Sequence, residues 1–136
     1  MALSKEELEE LAALEKEEKA AAEAQADAEA RQRLDAKRMR KRLSKPGVEH
    51  GKDFVVVETN TGLVVALRRP TDLEVDAFTD SEDQRAGMEK FILSIAIEPT
   101  KAVLEEQFSR YALLAPALSG AVTGMLGKLR EEEAKK

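Results

Sequence analysis

From Ser4 to Ser44 the chain contains neither glycine nor proline, and alanine fills most of its apolar positions. Leu8 and Leu11 begin a helical spacing, but Leu14 is followed mainly by alanine until Leu34. The heptad series Leu8, Glu15, Ala22, Glu29, Ala36, Leu43 is interrupted by charge, whereas a long coiled coil needs sustained apolar seam positions. The stretch is otherwise rich in Ala, Glu, Lys, Arg, Gln and Leu, which lose little entropy on entering a helix. Ser4 followed by Glu7 has the spacing of a capping box. Glu15–Lys19, Asp27–Arg31 and Glu29–Arg33 add i,i+4 pairs in the favourable order. The pattern predicts one long charged N-terminal helix of roughly 60 Å, either solvated or frayed until it meets a partner.

The pattern changes after Pro46. Residues 46–52 hold a proline and two glycines and read as a linker. Phe54–Val57 and Leu63–Leu67 are β-rich runs separated by Thr59-Asn60-Thr61-Gly62, predicting a hairpin with Gly62 at a left-handed position. Residues 70–131 predict about four short helices. Thr71 with Glu74, and Ser81 with Gln84, are capping boxes for the first two, and the first runs to about Phe78. Met88, Phe91, Ile92 and Ile95 then fall at helical spacing, and the run continues apolar on all sides to Ile97. Pro99 stops that helix and Thr100 caps the next, whose stripe is Leu104, Phe108 and Tyr111. Pro116 opens the last helix, with Leu118, Val122, Met125 and Leu129 on one side. Its glycines 120, 124 and 127 serve either close backbone approach or a frayed end.

The fold class is therefore mainly α: an arm over 1–45, a linker over 46–52, and a β-hairpin plus helical domain over 53–136. A body of that size buries only about 60–65% of its unfolded surface, which favours apolar surface left for a partner. Met88, Phe91, Ile92, Ile95, Leu104, Phe108, Tyr111, Leu118 and Val122 are the candidate core or partner-binding residues.

Charge adds a second layer. Residues 1–30 carry ten acidic and three basic side chains, residues 31–45 eight basic and one acidic. That polarity suits the helix dipole. Lys37, Arg38, Arg40, Lys41 and Arg42 are also a candidate docking run for an acidic protein or for nucleic acid. Nucleic acid is disfavoured by the net charge of -5, by the acidic first half of the same helix, and by the lack of interleaved aromatics. Without cysteine there is no disulfide framework or thiolate metal site. No segment has the roughly 18–20 apolar residues that span a bilayer, and no secretory signal pattern opens the chain, so a soluble, cytoplasmic protein is expected.

Catalytic chemistry finds no footing. His50, the single histidine, sits in the linker and reads as exposed and inert. Neither a phosphate-binding loop nor a nucleophile elbow occurs. The acidic group Asp72, Glu74, Asp76, Asp80, Glu82 and Asp83 lacks the glycine and alternation of a calcium loop, and helix-start chemistry accounts for it. Neither an enzymatic activity nor a cofactor is expected.

The hairpin closing on Leu67-Arg68-Arg69-Pro70-Thr71 is followed by Glu74 and Phe78, then Phe91-Ile92 with Pro99. Leu104, Tyr111, Leu114 and Leu118 come next, before Gly127. Over Phe54 to about Gly127 this series resembles the tail assembly chaperones of long-tailed bacteriophages. The resemblance implies a protein that coats apolar stretches of the tape measure protein before the tail tube polymerises, self-associates, and is absent from the finished virion. The arm over 4–44 has no counterpart in it. A structural component of a virion or injection machine, or a small regulator binding nucleic acid through 37–45, are the competing expectations.

Overall fold

The computed structural model describes residues 2–45 and 53–134. The expected linker and His50 lie outside them. Five helices and three short strands follow in order: α1 (Lys5–Leu43), β1 (Phe54–Glu58), β2 (Val64–Arg68), α2 (Asp72–Thr79), α3 (Gln84–Ile95), β3 (Ala96–Glu98), α4 (Lys101–Arg110) and α5 (Leu114–Ala134). The mainly helical class, the long first helix, the hairpin and the four following helices all stand as the pattern predicted.

Local chemistry explains most boundaries. Ser4 and Glu7 close a reciprocal capping box on α1, and Thr71 and Glu74 do the same on α2. The hairpin turns through Thr59–Gly62, with Gly62 at φ +87°, where a side chain would be strained. Thr59 holds the turn closed, its backbone N–H and its hydroxyl both donating to the Leu63 carbonyl at 3.0 and 2.7 Å.

Three boundaries differ from the sequence reading. α3 is capped by Asp83, which accepts from the Ala86 N–H at 3.1 Å, while Ser81 donates to the Asp83 carbonyl instead of capping. α3 ends at Ile95, and Ala96–Glu98 pairs antiparallel to β2 as a third strand. The hairpin is thus part of a sheet of order β1-β2-β3 with β2 in the middle. α5 starts at Leu114, so Pro116 sits inside its first turn, where the missing N–H has no carbonyl to serve. Thr100 precedes α4 without a side-chain cap bond.

Period-two alternation on the strands divides the apolar residues between two layers. Val65 and Leu67, with Val55 and Val57, face α3, α4 and α5. There they meet Phe91, Ile92, Ile95, Leu104, Phe108, Leu114, Leu118 and Val122, the main core. Val56 and Ala66, with Phe54, Val64 and Ile97, face the other way and are covered by Ala36, Met39 and Leu43 of α1. The sheet is sandwiched between the end of the arm and the helical layer.

This corrects the picture of a wholly solvated arm. Ala36 is fully buried and Leu43 nearly so, at 0% and 5% exposure, whereas every residue from Ala2 to Arg31 is exposed. The docked stripe is Gln32, Ala36, Met39 and Leu43, at 0, 4, 7 and 11, a helical face that includes only two large apolar side chains. The expected arm pairs Glu15–Lys19, Asp27–Arg31 and Glu29–Arg33 are not closed, while Gln25 donates to Glu29 at 3.2 Å.

At the open end of the hairpin, Arg68 forks onto Glu74 with bonds of 2.8 and 2.7 Å and also donates to the Ser94 carbonyl at 2.9 Å. One guanidinium therefore ties β2 to the start of α2 and the end of α3. Beside it, Arg69 bridges Asp53 and Glu133, fastening the last turns of α5 to the start of β1. Arg68, Arg69, Thr71 and Glu74, singled out in the sequence by their order, here form the clamp on that end of the body.

Candidate functional site

At the opposite end, the hairpin turn carries the features that most need a partner. α4 stops at Arg110 and α5 begins at Leu114, so the chain reverses within Tyr111–Leu113. The Leu114 N–H donates to the Tyr111 carbonyl at 3.2 Å across this tight link. So short a connection cannot turn all its side chains inward. Leu113 points out, 81% exposed, and Tyr111 is 42% exposed.

Between this link and the hairpin turn lies a groove of about 420 Å³, lined by Val57, Glu58–Thr61, Arg110–Leu114 and Ala117. Its floor is apolar, with Val57 and Leu114 rising from the main core, and its rim carries Glu58, the turn threonines and Arg110. That volume falls in the range of about 300–1,000 Å³ usual for ligand clefts. An apolar floor with a polar rim suits the apolar side of an amphipathic helix better than a small polar molecule.

One wall of the groove is stiffened from the arm. Gln32 Nε2 donates to the carbonyls of both Thr59 and Leu63, at 2.8 and 3.1 Å, bracing the turn from the far side of the sheet. The same contact places residue 32 over the turn, so the exposed part of α1, Lys5–Arg31, projects beyond it for roughly 40 Å. Groove and overhang therefore share one end of the molecule. Near its tip the overhang carries Leu8, Leu11 and Leu14, each about half exposed, with acidic side chains around them.

The predicted site residues divide by depth. Phe91, Ile92, Ile95, Leu104, Phe108, Leu118 and Val122 are sealed in the core at 8% exposure or less, because both the sheet and the neighbouring helices cover them. They shape the body and offer a partner no surface, which corrects their assignment as partner-binding groups. Met88 is partly covered at the core margin. Tyr111 alone of the nine lines the groove. Sequence reasoning passed over Leu113, Ala112 and the turn residues. Their signal was the apolar run Tyr111-Ala112-Leu113-Leu114-Ala115 ending on Pro116, too long to bury where the chain must turn.

The basic run is partly engaged. Arg42 pairs with Glu98 of β3, and Arg40 donates to the Val56 carbonyl at 3.4 Å, both helping to seat the arm on the sheet. Lys37, Arg38 and Lys41 point to solvent.

The one carboxylate moved far from its ordinary range is in the clamp. The Arg68 guanidinium holds the Glu74 carboxyl down to about 2, helped by the Thr71 N–H and opposed by partial burial. Arg68 is raised in turn, chiefly by its bonds to Glu74. Such a shift marks an ion pair that holds three elements together, and the cleft beside it lacks the second titratable group that acid–base chemistry would use. No described helix is long and apolar enough to cross a membrane, and no group of three or more potential metal ligands occurs among the described residues.

No protein-family model, no curated protein and no solved structure matches the chain.

Proposed function

We propose that this protein is a non-catalytic holding chaperone that shelters apolar helical stretches of a long client, the tape measure protein of a long-tailed phage, in the host cytoplasm before the tail tube polymerises. The observation that carries the reading is the apolar groove at Tyr111 and Leu113, open to solvent at the end of the body past which the arm projects. An amphipathic client helix lays its apolar side on Val57, Tyr111 and Leu113, while Glu58 and Arg110 meet its polar edges. The order of Arg68, Arg69, Thr71 and Glu74 behind the hairpin, with its likeness to tail assembly chaperones, supplies the identity of the client. A high charge content, 36% of residues, keeps such a complex dispersed.

Co-expression with the tape measure protein tests this. The client is expected to become soluble and to co-purify with the chain, and the chain to be absent from purified particles by mass spectrometry. Leu113→Asp, at a position 81% exposed, should leave the fold intact and abolish co-purification. A client that remains insoluble alongside the folded wild-type chain overturns the proposal. Stoichiometric retention of the chain in particles favours a structural virion component.

A further inference from the structure

The arm's charge pattern is not explained by the arm alone. Residues 1–30, with ten acidic and three basic groups, carry a net -7, and residues 31–45, with eight basic and one acidic, carry +7. Dipole complementarity fades within the first and last turns, so it accounts for Glu6, Glu7 and Arg40–Arg42 but not for the segregation between them. Pairing within the helix does not account for it either, since the i,i+4 partners of the overhang are not closed. Lys37, Arg38 and Lys41 are exposed and have no carboxylate within 4 Å among the described residues.

The acidic tip cannot reach the basic segment of its own chain. Both lie on one uninterrupted helix of 39 residues, with no glycine or proline to fold it back. Nor does the body attract the tip. The whole chain carries -5 and the arm sums to zero, so the body is itself acidic. The strongest complement to the tip anywhere in the molecule is the basic segment of a second copy.

We infer that two copies pair through their arms, antiparallel and centred near Ala24. Parallel arms would set -7 against -7, whereas antiparallel arms set -7 against +7 at both ends. With Ala24 at the centre, Glu10 of one arm lies across Arg38 of the other and Glu15 across Arg33. Leu14, 48% exposed, meets Leu34, 46% exposed. No like charges fall opposite one another anywhere along this alignment. The middle of the overlap is alanine-rich, which lets two helices approach closely without large side chains. A seam with so few large apolar residues depends on its charges for register and direction, as flanking charges do in coiled coils. The docked side of each arm stays on its own sheet, and the partner's tip lies against the outward side bearing Lys37, Arg38 and Lys41.

The dimer is read without any client, so its outcome is separate from that of the holding role. Sedimentation equilibrium of the full chain should show a dimer at low ionic strength that weakens at least tenfold at about 1 M salt, where the screening length falls to about 3 Å. Because the chain has no cysteine, direction can be read by crosslinking. The double variant Leu14→Cys with Leu34→Cys should oxidise to a covalent dimer, and either single variant should not. Reversing the tip (Glu7→Lys, Glu10→Lys) or the base (Lys37→Glu, Arg38→Glu, Lys41→Glu) should each give a folded monomer by helical circular dichroism. Mixing the two reversed chains should restore a dimer. A monomer at low salt, a dimer indifferent to salt, or crosslinking through Leu14→Cys alone overturns the inference.

Discussion

The two parts of α1 have similar compositions and opposite fates. Up to Arg31 the helix touches nothing, although it holds three of the chain's half-exposed leucines, Leu8, Leu11 and Leu14. From Gln32 onward it covers one face of a sheet with little more than an alanine, a methionine and a leucine. The free part is the more leucine-rich, so hydrophobic content does not decide which part docks. Spacing and shape decide it. Ala36 is small enough to let the helix settle against Val56 and Ala66, while Gln32 and Arg40 satisfy backbone carbonyls at the hairpin.

The contrast is open to direct attack at equivalent heptad positions. Ala22→Glu and Ala36→Glu place the same charge two heptads apart. At high salt, where arm pairing is screened, the first should change urea-unfolding stability by no more than about 0.5 kcal/mol. The second buries an unpaired carboxylate and should cost about 3 kcal/mol or more, or detach the arm. Leu43→Ala should cost about 2–3 kcal/mol through lost burial and a residual cavity, while Leu11→Ala under the same conditions costs a few tenths.

Charge separates the regions in the same way. The body's central ion pair, Arg68–Glu74, is forked and mostly covered, with side-chain exposures of 31% and 20%. The Glu74 carboxyl titrates near 4.5 when unfolded and is held down to about 2 in the fold. Between those values the unfolded chain binds the extra proton, so this contribution is complete above pH 4.5 and is lost as the pH falls toward 2. Glu74→Gln keeps the capping geometry and should lower stability at pH 7 by about 1.5–2 kcal/mol. It should also flatten the decline of the urea midpoint between pH 4.5 and pH 2. Gln32→Ala, at the border of the two regions, removes both bonds to the turn and should cost about 1 kcal/mol, with faster amide exchange at Gly62 and Leu63.

Residues with one local job were legible in the sequence. Ser4 with Glu7, Thr71 with Glu74 and Gly62 each announced an element boundary, because caps and turns are satisfied by near neighbours. β3 was not legible. Phe91–Ile97 is apolar in nearly every position, so neither a 3.6-residue nor a two-residue period marks where helix becomes strand, and only pairing with β2 resolves it. The docked stripe was hidden for the opposite reason. Its members include Gln32 and Ala36, which score as polar and neutral, and the sheet that makes them valuable lies elsewhere in the chain. The groove fell between these cases. Tyr111 was found by its helical spacing, but Leu113 belongs to no period and became visible only once the link between α4 and α5 proved to be three residues long.

Hydrogen exchange of the full chain, followed residue by residue at about 1 M salt, tests the division of α1 most directly. Amides from about Arg33 to Leu43 should exchange only with global unfolding, and those from Leu8 to Arg31 by local fraying, orders of magnitude faster, with the step at Gln32. Uniform slow exchange from Leu8 to Leu43, or fast exchange through Ala36 and Met39, would contradict a helix held at one end and free at the other.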